Sequence, residues 1–237
     1  MKIFRTFFII SILMINPAFA DKIPAEVRQK VSLPKGYHEG LHYDGKNMWV
    51  SNGEGMNTWL IDLSDGTVVS EIIPVGKFTE AVTGAPGNTF WVTDWEEKNL
   101  YRVRIEEGRM EEISSVSLAP SRPTGIVWTG DKLFMITWTR GMGTRYDLHE
   151  MDGEGDLIRK TQIKGIHEPA QIAYDGEALW ITSWYNRRVY KLDPESVEVL
   201  GSFRSPADRP TGIVWVGKDL WITGTYADLF RIRLKEE

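Results

Sequence analysis

Residues 209–234 read RPTGIVWVGKDLWITGTYADLFRIRL, and the pattern inside this stretch decides the fold. Gly212-Ile213-Val214-Trp215 is a short apolar run. A turn follows, and then Leu220-Trp221-Ile222-Thr223 forms a second run. After a polar loop, Leu229-Phe230-Arg231-Ile232-Arg233 alternates apolar and charged residues, the period-2 signature of a strand with one buried face. The same text recurs upstream. Gly40-Leu41-His42-Tyr43, Gly125-Ile126-Val127-Trp128 and Gln171-Ile172-Ala173-Tyr174 match the first run, and Leu179-Trp180-Ile181-Thr182 matches the second. Leu100-Tyr101-Arg102-Val103-Arg104 and Val189-Tyr190-Lys191-Leu192-Asp193 match the third. One large apolar residue anchors each unit: Trp49, Trp91, Phe134, Trp180 and Trp221, at intervals of 42, 43, 46 and 41 residues.

A fourth strand, such as Val197 to Phe203, closes each unit, and four short antiparallel strands in about forty residues make a propeller blade. A β-sandwich would not repeat its sequence five times, and a solenoid would need capping ends. The last unit stops after its third strand at Leu234, while Val27 to Leu33 precedes the first unit and resembles the fourth strands, Gln29-Lys30-Val31-Ser32-Leu33 beside Ser114-Ser115-Val116-Ser117-Leu118. The expected fold is therefore all-β: a five-bladed β-propeller with four antiparallel strands per blade, its N-terminal strand closing the last blade. Closure of this kind removes two exposed sheet edges.

Residues 1–20 read differently. Lys2 and Arg5 precede an apolar run from Phe7 to Ile15, and Ala18-Phe19-Ala20 is a small-x-small site before Asp21-Lys22. These are the parts of a secretory signal peptide cleaved after Ala20, since the run is too short to span about 30 Å of hydrocarbon. The expectation is a periplasmic or secreted single domain over residues 21–237, with no membrane span after processing. The chain has no cysteine, so its stability must come from packing and strand pairing rather than disulfides. With 42% hydrophobic residues it can bury a real core. A net charge of −5 and the lack of a basic run exclude a nucleic-acid footprint. A monomer is expected.

In a propeller the inner strands line a central channel. The residue just before each inner strand should approach the channel mouth, and those positions hold Glu39, Glu80, Thr124, Ala170 and Thr211. Two carboxylates thus fall in adjacent blades. Four residues after each anchor stand Gly53, Trp95, Trp138, Trp184 and Thr225, so three tryptophans at equivalent positions can wall one pocket. An acid–base carboxyl needs a raised pKa, which a second carboxylate and an apolar setting supply, while aromatic faces hold flat or cationic groups. Packing of the tryptophans between blades, and hydrogen bonding of the glutamates to nearby backbone N–H groups, are the competing readings. His38 and His42 share one side of a short strand, but no third ligand follows at a regular offset, so no metal centre is expected.

These residues resemble the five-bladed glutamine cyclotransferases of bacteria and plants over essentially the whole mature chain. Tyr37-His38-Glu39-Gly40-Leu41 is similar to that family's opening Phe-Thr-Glu/Gln-Gly-Leu, and a Ser51 to Gly55 segment and an Asp62-Leu63 strand end follow as they do there. Phe78-Thr79-Glu80-Ala81-Val82 is similar to its second motif, Phe-Gly-Glu-Gly-Ile, with Ala81 in place of the second Gly. Trp95 falls on the Trp of the family's Leu-Thr-Trp, Trp184 on the Trp of its fourth blade, and Ile222-Thr223-Gly224 on its Val-Thr-Gly. Two polar positions depart from the pattern: Ala170-Gln171-Ile172-Ala173 stands for Asn-Glu-Leu-Glu, and Thr225 for a Lys. The resemblance implies conversion of a peptide's N-terminal glutamine to pyroglutamate with release of ammonia. It implies that Glu80 moves the proton, that Glu39 binds the α-ammonium or tunes Glu80, that Trp95 and Trp184 hold the side chain, and that no cofactor is needed. Two alternatives stay open: a non-catalytic propeller that binds a peptide or protein partner, and a metal-dependent lyase or lactonase.

Overall fold

The computed structural model describes residues 23–141, 143–226 and 228–235, and the signal peptide expected over residues 1–20 lies outside them. Strand β1 (Ala25–Val31) comes first. Blade 1 is β2 (His38–Tyr43), β3 (Met48–Asn52), β4 (Asn57–Ile61) and β5 (Val68–Ile72). Blade 2 is β6 (Thr79–Ala85), β7 (Thr89–Asp94), β8 (Asn99–Glu106) and β9 (Arg109–Ser117). Blade 3 is β10 (Arg122–Trp128), β11 (Leu133–Arg140), β12 (Thr144–Met151) and β13 (Leu157–Gln162). Blade 4 is β14 (Pro169–Tyr174), β15 (Leu179–Ser183), β16 (Arg188–Leu192) and β17 (Val199–Arg204). Blade 5 takes β18 (Pro210–Val216), β19 (Asp219–Gly224) and β20 (Leu229–Leu234), and β1 completes it in the order β1-β20-β19-β18. The protein is a five-bladed β-propeller.

The closing strand runs over Ala25–Val31 rather than 27–33. Antiparallel pairing begins at Ala25 opposite Leu234, and a bulge between Val27 and Gln29 shifts the register before Val31 meets Leu229. Pairing ends there, at the first residue of β20. Leu33 still packs on the apolar cluster that Val31 enters.

The five anchors are wedges, each driven into the next blade. Trp49 of blade 1 packs with Val82, Val92 and Tyr101 of blade 2, and Trp91 with Ile126, Leu133 and Met135 of blade 3. Phe134 meets Ile172, Leu179 and Ile181 of blade 4, Trp180 meets Ile213, Leu220 and Ile222 of blade 5, and Trp221 returns to Leu41, Met48 and Val50 of blade 1. Flat sheets arranged around an axis diverge outward, and a large side chain at the same place in every blade fills the gap. Trp180 is fully buried and its indole N–H donates to Asp175 at 2.7 Å, as Trp49 does to Asp44 at 2.8 Å. Trp180→Ala is therefore expected to cost about 3–5 kcal/mol, the loss for removing a buried aromatic side chain, read as a lowered midpoint of urea unfolding.

Around the axis the inner strands crowd one another. A Cβ on Gly40 would lie 2.7 Å from the Ala81 Cα, one on Gly125 2.5 Å from the Ala170 carbonyl oxygen, and one on Gly212 2.6 Å from the Glu39 carbonyl oxygen. Small residues at this level let five strands converge. Blade 4 has Gln171 there instead, and its side chain fills the centre. Its Oε1 accepts from the N–H groups of Ile126 and Ile172, both at 2.8 Å, and its buried Nε2 has no hydrogen-bond partner.

Candidate active site

A cavity of about 820 Å³ opens at one end of the channel, and Glu39, Glu80, Trp95, Trp138 and Trp184 all line it. Thr124, Ala170 and Thr211 line it as well, so all five inner-strand positions point into one space.

The reason is a backbone device that the sequence reading placed one residue off. Glu39 and Glu80 do not precede their strands; each is the second residue of β2 and β6. The ladder slips at this point in every inner strand: between His38 and Leu41, Thr79 and Ala81, Pro123 and Gly125, Pro169 and Ile172, and Pro210 and Gly212. Each slip is a β-bulge. The extra residue leaves the alternation of the sheet, and its side chain is re-aimed along the channel toward the mouth.

Polar side chains at the ends of the second strands pin these bulges. Asp94, fully buried, accepts from the backbone N–H of Lys77 at 2.6 Å, Phe78 at 2.7 Å and Glu97 at 2.6 Å. Asn52 does the same in blade 1, accepting from the N–H of Tyr37 at 3.1 Å. In blade 4 the Ser183 hydroxyl bonds the His167 carbonyl oxygen and accepts from the Asn186 N–H at 3.3 Å.

Glu39 is 6% and Glu80 9% exposed. Burial raises the Glu39 carboxyl well above its ordinary range, and the charge of Glu80 adds to it. Burial, and then the charge of Asp94, push Glu80 from 4.5 up to about 8. No hydrogen bond to either carboxylate offsets these effects among the described residues, so the backbone-bonded reading of the pair does not hold. Two such groups in one space share protons rather than ionise independently. A consequence for stability follows. Between pH 4.5 and about 8 the folded chain keeps a proton on Glu80 that the unfolded chain has lost, so stability falls as pH rises through this window and the penalty is absent below it. The thermal midpoint of wild type should drop from pH 4.5 to 8 more than that of Glu80→Gln, measured by calorimetry at matched ionic strength.

The tryptophans do face the cavity. Trp95 and Trp138 stack with centroids 5.4 Å apart at 15°, and the Arg122 guanidinium lies 5.1 Å over the Trp95 ring while donating to its carbonyl oxygen at 2.9 Å. Trp184 carries Arg209 at 4.9 Å over its ring and donates its indole N–H to Thr225 Oγ1 at 3.2 Å. All three are half-buried, unlike the wedge tryptophans.

Sequence reasoning missed a further layer. Tyr37, Phe78, Arg122 and Glu168 line the cavity, and each stands two residues before a bulge residue, an offset visible in the repeat. Tyr146, Thr144, Glu54 and Glu96 join them from the third strand of blade 3 and from loops. Tyr37 is pushed to about 12 by burial and by Glu39 and Glu80, and Tyr146 to about 12 by burial and Glu168, so both phenols stay protonated donors. The two histidines serve packing. His38 Nε2 meets the Pro34 carbonyl oxygen at 2.8 Å, while His42 sits edge-on to Trp49 and Phe90 and is lowered to about 4 by burial.

No protein-family model matches the chain, and no curated protein does. Among solved structures, the glutaminyl cyclase of Myxococcus xanthus superposes with a TM-score of 0.73, covering 91% of this chain and 99% of that one at 17% identity. The chain has a glutaminyl cyclase-like fold. Other propellers match it too. The aldose sugar dehydrogenase of Streptomyces coelicolor, in its PQQ-bound form, gives 0.62 over 90% of this chain and 99% of that one at 12% identity. A chain of a nidogen/laminin complex gives 0.57 over 79% and 72% at 17% identity. The cyclase-like propeller is thus a frame that carries different functions, and chemistry has to be argued from the cavity.

Proposed function

We propose that the protein is a glutaminyl-peptide cyclotransferase, acting on peptides with N-terminal glutamine. The observation that carries this reading is the pair of buried, unpartnered carboxyls, Glu39 and Glu80, at the bottom of an aromatic-walled cavity. In the proposed reaction the α-amine attacks the γ-carboxamide carbon of the same residue. The C–N bond to the amide nitrogen breaks, ammonia leaves, and a five-membered lactam remains. Nucleophile and electrophile belong to one molecule, so the protein has to hold a near-attack geometry and move protons.

The cavity suits both tasks. Its lining holds five carboxylates, Glu39, Glu54, Glu80, Glu96 and Glu168, against one cation, Arg122, which favours a cationic amino terminus. An α-ammonium has a pKa near 8. Burial and the charge of Asp94 bring Glu80 up to about 8, into the range of an amine, so its carboxylate can take the ammonium's proton. Glu80 then returns the proton to the departing nitrogen, and as the C–N bond breaks the Glu80 carboxylate takes the second proton from the attacking nitrogen, leaving a neutral lactam and ammonia. Glu39 holds the other share of the pair's charge against the ammonium. Trp95, Trp138 and Trp184 enclose the glutamine side chain and keep water from the carboxamide, and the Tyr37 hydroxyl is a donor for the oxygen on which charge develops.

Blade 4 contributes less polarity than the resemblance would imply. Ala170 presents only a methyl group to the cavity, and Gln171 is turned into the axis. Thr225 is bonded to Trp184 rather than carrying a charge. Purified mature protein incubated with a Gln-initiated peptide should release one ammonia per peptide and shift its mass accordingly. Turnover no faster than the uncatalysed rate would leave a peptide-binding module as the better reading.

A further inference from the structure

Above the Glu39–Glu80 pair, the same two blades carry a second pair of carboxylates. Glu54 and Glu96 stand five residues after the anchors Trp49 and Trp91, are exposed, and line the cavity. The same offset in blades 4 and 5 gives Tyr185 and Tyr226, each 66% exposed, and Tyr226 packs edge-on to Tyr37 with centroids 5.3 Å apart. The lining of the mouth is therefore acidic on the side of blades 1 and 2, over the carboxylate pair.

These rim charges are not neutralised. Neither Glu54 nor Glu96 forms an ion pair among the described residues, whereas the neighbouring Glu97 is held by Lys77 at 3.3 Å and by the Tyr101 hydroxyl at 2.6 Å. The one cation of the lining, Arg122, is committed to the face and carbonyl oxygen of Trp95. The rim stands over a built site, because Glu39 and Glu80 are more than nine-tenths buried and unpartnered below it. A ligand filling this cavity meets carboxyl groups at two depths, a buried proton-sharing pair below and a solvent-exposed pair at the rim.

We propose that the site selects peptides whose second residue, directly after the amino-terminal one, is lysine or arginine. The proposal rests on the reading above in seating the amino terminus between Glu39 and Glu80. One residue further along an extended chain rises about 3.5 Å, so the second side chain is the first to reach the rim. A flexible cationic side chain there meets Glu54 and Glu96, and a carboxylate there meets repulsion from both.

The test uses peptides that bind without reacting. An N-terminal asparagine keeps the carboxamide, but attack by its own amine would need a four-membered ring. Affinities of C-terminally amidated Asn-Lys-Ala-Ala, Asn-Ala-Ala-Ala and Asn-Glu-Ala-Ala are measured by calorimetry. The lysine peptide should bind about tenfold more tightly than the alanine peptide, and the glutamate peptide more weakly than either, with the spread shrinking at high salt. The double variant Glu54→Gln/Glu96→Gln should lose the lysine preference with its thermal midpoint unchanged. Equal affinities, a preference that survives the double variant, or no binding by any of the three would overturn the inference. Ammonia release from a Gln-Ala peptide is a separate readout. Its absence beside an intact lysine preference would remove the cyclisation reading alone.

Discussion

Glu80→Gln is expected to lower glutamine cyclisation by about 10²-fold or more, the loss that follows removal of a positioned general acid–base. The substitution keeps the shape and removes a proton that burial and Asp94 hold up to about pH 8. A carboxyl with that affinity exchanges protons with an α-amine at little cost in either direction, and an amide cannot. Folding should survive, because the bulge that aims residue 80 is held by Asp94 through the N–H groups of Lys77 and Phe78, not by the Glu80 side chain. The fall should appear in kcat rather than KM, since Glu39 and the rim still attract the ammonium. Initial rates of ammonia release from a Gln-initiated peptide, with circular dichroism to certify the fold, measure it. Full activity in a folded Glu80→Gln protein would show that the proton moves by another route.

Deletion of residues 21–34 should have the largest effect on the fold: loss of the cooperatively unfolding propeller. Strand β1 supplies the whole outer edge of blade 5, paired with β20 from Ala25–Leu234 to Val31–Leu229, and Lys235 N–H extends the ladder to the Pro24 carbonyl oxygen at 3.0 Å. Val31 and Leu33 enter the apolar cluster between blades 5 and 1, and Ile23 packs on the cluster between blades 4 and 5. Without them β20 becomes a bare edge with apolar neighbours, a template for pairing with another chain. Size-exclusion chromatography should show aggregate, and the thermal transition should broaden or vanish. A synthetic peptide of residues 21–35 added during refolding should restore the wild-type elution volume. A deletion protein melting as wild type does would mean that the ring is held without its closing strand.

Much of this molecule was legible in the one-dimensional text because a propeller writes its architecture as a period. The wedges Trp49, Trp91, Phe134, Trp180 and Trp221 fill equivalent gaps, so they recur at equivalent positions. The missing fourth strand at one end and the spare strand at the other identified the closure. Glu39, Glu80, Trp95, Trp138 and Trp184 were found on the same ground: residues that superpose in five blades end up at one end of the ring.

What the repeat could not convey was decided in three dimensions. A bulge is one residue of register, and register depends on which partner faces which, so Glu39 and Glu80 read as preceding their strands when they interrupt them. Equivalence also hides direction. Gln171 follows a bulge just as Gly40, Gly125 and Gly212 do, yet only one long side chain fits where five strands converge, and blade 4 alone fills the axis. The proton affinity of Glu80 arises from desolvation and from a buried neighbour, Asp94, fourteen residues away in the chain. Periodicity determines where a side chain stands in the ring. The dielectric and the charges around it exist only once the blades have closed, because they come from segments that the sequence keeps apart.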